Sequence, residues 1–212
     1  MNSLNRRRVP DTPLLFFQPF NVVVFLAFYS PIVLCIVMLS LSFIFQNFKG
    51  FIFLGYLLGV CLIRNYVYML SGAQQLIPNG SICTSIQYTK YGNSTFSAFV
   101  FAFTLMYLLF PMITNGELNF YVIVGLLAYF FFDIMIKISK QCTVEFGQLF
   151  LNVLTGAAAS ALIVTLMYSG GSSDYLFFNE VSSNKEVCSM PTKQTFKCAV
   201  YKNGELISNI NA

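Results

Sequence analysis

Arg64 and Asp133 are charges set within otherwise apolar runs, and any intramembrane chemistry of this chain begins with them. Ionisable residues inside membrane spans are functional candidates by default, because a lone charge is expensive there. Arg64 falls six residues before the end of its run, about 9 Å along a helix. Asp133 falls at a similar shallow depth in a run of the same direction, so the two are expected to form an ion pair across a helical bundle. That depth favours a structural pair, or an Arg64 side chain that snorkels to the interface, over a transport path. Transport sites place charge or broken helices nearer the midplane. Lys137 follows Asp133 by four residues and shares its helical face.

Other chemistry is sparse. The sequence has no histidine, which removes the commonest general base and metal ligand and excludes Ser-His and Cys-His catalysis. Cys35 and Cys61 lie in apolar runs and read as small hydrophobes. No closely spaced cysteine pair points to a metal. Cys188 and Cys198 in the tail are the pair for which a disulfide is considered. No catalytic, cofactor-binding or metal-binding residue is assigned, and no enzyme activity is expected. Arg6, Arg7 and Arg8 form a basic cluster suited to anionic lipid or an acidic protein surface, or simply to setting topology.

These residues must be positioned by membrane-spanning helices. The chain is 57% hydrophobic and 9% charged, where a soluble domain is near 25% charged, so a water-soluble core does not account for it. The run from Val22 to Phe45 carries no charge and is about 36 Å long as a helix, enough to cross a hydrocarbon core of about 30 Å. Pro31 within it marks a kink. Further spans are expected over 51–70, 96–113, 118–136 and 149–168, giving an all-α membrane protein of five transmembrane helices. Gly55 with Gly59, and Gly156 with Ser160, form small-x-x-x-small faces that let helices approach closely.

Residues 1–21, with Pro10, Pro13 and Pro19, read as an extended arm. Residues 169–212 are a polar tail in which TFKCAVYK, the turn Asn203-Gly204 and ELISNI predict a β-hairpin. Five spans put the termini on opposite sides. The arginine triplet with Lys90, Lys137 and Lys140 assigns the N-terminal side to the cytosol by the positive-inside rule. The glycosylation sequons at Asn79 and Asn93 then face the cytosol and go unused.

The segment MPTKQTFKCAVYKNGELI, residues 190–207, resembles tails of small multispan membrane proteins of nucleocytoplasmic large DNA viruses, and the Phe- and Asn-rich, His-free composition is similar. The resemblance implies a virion component in the inner membrane whose exposed segments contact the capsid shell or the core. It transfers no functional residue. The function expected is structural: a scaffold anchoring a membrane through protein contacts of its termini, with lipid and membrane or capsid proteins as partners, homo- or hetero-oligomers allowed, and no nucleic acid. The alternative is a small channel, transporter or membrane-biogenesis factor using Arg64 and Asp133.

Overall fold

The computed structural model describes residues 19–71, 83, 87–140, 142, 145–177, 197–202 and 205–211. The chain divides into two units, Met1–Ser182 and Ser183–Ala212. The arm with Arg6, Arg7 and Arg8, the Asn79 sequon and Cys188 lie outside the described residues.

The first unit is helical: α1 (Pro19–Phe28), α2 (Ser30–Ile44), α3 (Lys49–Leu70), α4 (Phe96–Thr114), α5 (Phe120–Ser139) and α6 (Phe146–Ser169), followed by a 3₁₀ turn over Ser173–Tyr175. Among the described residues four helices, α3 to α6, are long and apolar enough to cross a membrane, and the count reaches five if the bent pair α1 and α2 is one span. Their outward faces carry Leu62, Ile63, Phe131, Met135, Phe150 and Leu154, all more than half exposed. A soluble monomer rarely shows contiguous apolar surface on this scale. This is the architecture of an integral multispan membrane protein.

The span expected over 22–45, with a kink at Pro31, is bent more sharply than a kink. The helix breaks at Tyr29 and turns by 82°. Pro31 sits in the first turn of α2, where its missing N–H is tolerated, whereas a continuous helix would drive its ring against the carbonyl of Ala27. Two carbonyls near the break are taken up by distant tyrosines: Tyr129 Oη donates to Leu26 O at 2.8 Å and Tyr88 Oη to Phe28 O at 2.9 Å. With 10 and 15 residues, α1 and α2 reach only about 15 and 22 Å, so neither crosses the core alone.

α4 is the hub, with 72% of its apolar window buried against 11 to 22% for α3, α5 and α6. Its closest neighbour is α6, and Gly156 is the reason. A Cβ at Gly156 would stand 2.5 Å from the carbonyl oxygen of Phe99, an approach that only glycine permits. Ser160, one turn later, is fully buried. On the other side of α4, Phe53 of α3 packs edge-on to Tyr107, ring centroids 5.1 Å apart. Gly55 and Gly59 meet no other helix among the described residues: nothing there stands within 4 Å of a Cβ built on either. Gly50 instead brings α2 and α3 together, its Cβ position lying 2.5 Å from Met38 O.

In the second unit β1 (Lys197–Lys202) and β2 (Glu205–Asn211) pair antiparallel from Lys202 opposite Glu205 to Lys197 opposite Asn211, with a register irregularity between Val200 and Tyr201.

Candidate functional site

Buried polar side chains of the helical unit concentrate at one end, where α3 and α5 finish and α2, α4 and α6 begin. They form two clusters on either side of the start of α4.

The first cluster centres on Asp133, which has no exposed surface. Its Oδ1 accepts from Ser30 Oγ at 2.8 Å. Its Oδ2 accepts from Ser97 Oγ at 2.7 Å and pairs with Lys137 Nζ at 3.0 Å. Lys137 Nζ also donates to Ser97 Oγ. Ser30 opens α2 and Ser97 lies in the first turn of α4, so the carboxylate sits against two helix N-termini, whose partial positive charge favours an anion. Among the described residues every partner of the carboxylate lies inside the bundle.

The second cluster centres on Arg64. Its Nε donates to Asn152 Oδ1 of α6 at 3.0 Å and its Nη2 to Gly92 O at 3.3 Å. The guanidinium carbon lies 4.7 Å from the ring centroid of Tyr68 and 5.4 Å from those of Phe96 and Phe99, a cage of π faces that offsets lost hydration. Asn152 Nδ2 donates in turn to Thr95 Oγ1, Tyr68 Oη and Gln148 O, at 3.0, 3.2 and 2.8 Å.

The expected ion pair between Arg64 and Asp133 is therefore corrected. The two share a depth but join different clusters. Lys137, one turn along the same helix, reaches Asp133 without crossing the bundle, and Arg64 faces α6 instead.

A disulfide between Cys83 and Cys142, Cα atoms 5.7 Å apart, ties the α3–α4 connection to the α5–α6 link. It packs on Val24, Phe28 and Ile136. With Tyr88, Asn93, Ser97 and Lys137 it lines a cavity of about 20 Å³, room for about one water. Burial first, and then the nearby Tyr29 and Asp133, push the Tyr88 phenol above its ordinary range, so it stays a neutral donor to Phe28 O. The tail pairing considered for Cys188 and Cys198 lies outside the described residues, and Cys35 and Cys61 are free thiols.

Sequence reading missed Ser30, Ser97, Asn152 and the Cys83–Cys142 bond. Ser30 before Pro31 carries the signature of a helix start, and Asn152 is an amide isolated in an apolar run. The disulfide joins residues 59 apart and has no local signal. Among the described residues no group of three or more His, Cys, Asp or Glu could hold a metal. Comparison with protein families, with curated proteins and with solved structures finds no match for this chain.

Proposed function

We propose that the chain is a structural membrane protein, a multispan bundle that anchors or scaffolds a membrane through protein contacts of its terminal segments. The setting proposed is the inner membrane of a large DNA virus, beneath the capsid. The observation carrying this reading is that the contacts of the buried charges, among the described residues, join helices of the bundle, with Arg64 Nη1 alone among their polar atoms left buried without a hydrogen-bond partner. Asp133 and Lys137 are consumed with Ser30 and Ser97, and Arg64 is held by Asn152, Gly92 and three aromatic rings. These groups fasten helices together. Ser97 beside Lys137 has the composition of a nucleophile and a base, but Lys137 is paired to a carboxylate and the adjoining cavity among the described residues is about the size of one water. The polar sequence available for contacts lies in the arm, the 71–95 loop and the tail. The resemblance of residues 190–207 supports the viral setting.

The charge bias assigns the end bearing Lys90 and Lys140 to the cytosol, whereas a disulfide at that same end needs surroundings where thiols oxidise. Virions are among the settings in which disulfides persist. Chemical crosslinking of intact particles tests the proposal: crosslinks from both terminal segments to capsid or core neighbours are expected. Termini free of every such neighbour would sink it.

A second reading, a channel or transporter, draws on the broken helix. A half-helix N-terminus aimed at a carboxylate inside a bundle is the arrangement transporters use at their binding sites. Ion or solute flux in liposomes by the wild-type chain, lost in an Asp133→Asn variant whose unfolding curve shows it still folded, would establish that reading and overturn the scaffold.

A further inference from the structure

We propose that the cleft between α2 and α3 binds one acyl chain of an anionic phospholipid, with the headgroup phosphate beside Lys90. The two helices are pinned at their turn by the Gly50 contact with Met38 O. The turn itself is sealed by Ser42 Oγ, which donates to Asn47 O at 2.6 Å and accepts from Gly50 N at 2.9 Å. Toward the opposite end the helices leave between them a cleft of about 660 Å³.

Its shape and chemistry fit one lipid. The lining on α3 runs from Leu57 to Met69, twelve residue steps, or about 18 Å at 1.5 Å per residue. One leaflet of a hydrocarbon core of about 30 Å is about 15 Å deep, so the cleft covers the depth of a single acyl chain. The walls are mostly apolar, with Ile32, Cys35, Leu58 and Leu62 among them, and Asn65 is the polar side chain in the α3 wall. Polar character gathers at the rim, where Thr89, Lys90 and Tyr91 of the loop close the cleft. Lys90 is exposed there. An ammonium at the open end of an apolar slot one leaflet deep is complementary to a phosphate on an acyl chain. The inference requires that α3 spans a membrane with α2 packed along it, and it is independent of what the termini contact.

Cys35 and Cys61 are free thiols in the cleft wall and serve as built-in reporters. The full-length chain is reconstituted in vesicles of equal phosphatidylglycerol and phosphatidylcholine, then extracted for native mass spectrometry and for site-resolved maleimide labelling. Wild type is expected to retain phosphatidylglycerol about fivefold over phosphatidylcholine, the equivalent of ~1 kcal/mol for one basic residue at a membrane surface. Bound lipid should slow labelling of Cys35 and Cys61. Lys90→Gln should retain both lipids equally, and Leu58→Trp, which fills the slot, should retain less of each. Equal retention by wild type, or an unchanged preference in Lys90→Gln, overturns the proposal. So does a bis-maleimide bridge from Cys35 or Cys61 to a second copy with no lipid retained, since the cleft would then be a dimer interface.

Discussion

Lys137 stands one turn beyond Asp133 on α5, and its Nζ lies 3.0 Å from Oδ2 of that carboxylate with both side chains buried. The same carboxylate gathers the first turns of α2 and α4 through Ser30 and Ser97. One buried acid thus fixes where three helices meet.

Removing one partner leaves the other charge buried and alone, which typically destabilises by about 3–5 kcal/mol. Asp133→Asn, which strands the Lys137 ammonium, is expected to lower the unfolding midpoint in mild detergent on that scale. Lys137→Met should cost less, because Ser30, Ser97 and two helix N-termini still stabilise the carboxylate. The double variant Asp133→Leu with Lys137→Met should recover most of the loss. Detergent unfolding curves of the three variants are the check, and a single Asp133→Asn variant as stable as wild type would refute the role given to the pair.

The glycines separate into two kinds. Gly156→Ala places a methyl 2.5 Å from Phe99 O and forces α4 and α6 apart, with an expected loss of about 1–3 kcal/mol. Gly55→Ala meets open space on the outer face of α3 and should be neutral or stabilising by up to about 1 kcal/mol through helix propensity. Thermal unfolding of the two variants side by side measures the contrast.

Cys83 and Cys142 close a long loop at the end where the polar clusters lie. In the chain-entropy limit such a bond contributes about 4 kcal/mol. Non-reducing peptide mapping of the purified chain should recover this linkage, with Cys35 and Cys61 alkylated. Cys83→Ser should lower stability and make Lys90 and nearby backbone amides exchange faster, since the bond fastens the loop to the α5–α6 link.

How much of this was legible depends on the range of the interaction. The membrane helices α3 to α6 follow from apolar runs and turn residues, and their ends fall within three residues of those expected. α5 outruns its expected end at 136 because Lys137 is neutralised by Asp133 and need not leave the helix. Pro31 announced a bend, but an 82° turn also needs Tyr88 and Tyr129 to satisfy carbonyls from elsewhere in the chain. The partner of Arg64 was missed for a related reason. A search for opposite charge finds Asp133, whereas burial here is stabilised by an amide 88 residues away and by aromatic faces. The small-residue rule picked out faces without saying which would be used, since Gly156 meets a helix and Gly55 does not.

The direction of the helices leads to a prediction about the termini. α2, α4 and α6 begin at the polar end and α3 and α5 finish there, as the contacts of Ser30, Ser97, Arg64, Asp133 and Asn152 require. α1 reaches the same end through Tyr88 and Tyr129, so the bent pair α1–α2, taken as one span, carries the chain from that end to the start of α3 as a fifth crossing. α6 leaves at the other end. A tag before residue 19 and a tag after Ser169 should therefore lie on opposite sides of the membrane. In sealed vesicles one tag should be cleaved by added protease and the other only after permeabilisation. Cleavage of both in sealed vesicles, with orientation uniform by an internal marker, would mean an even number of crossings, as when α3 to α6 cross and the bent pair α1–α2 does not. Labelling of Lys90 with an impermeant amine reagent completes the assay, because Lys90 must report the same side as the N-terminal tag.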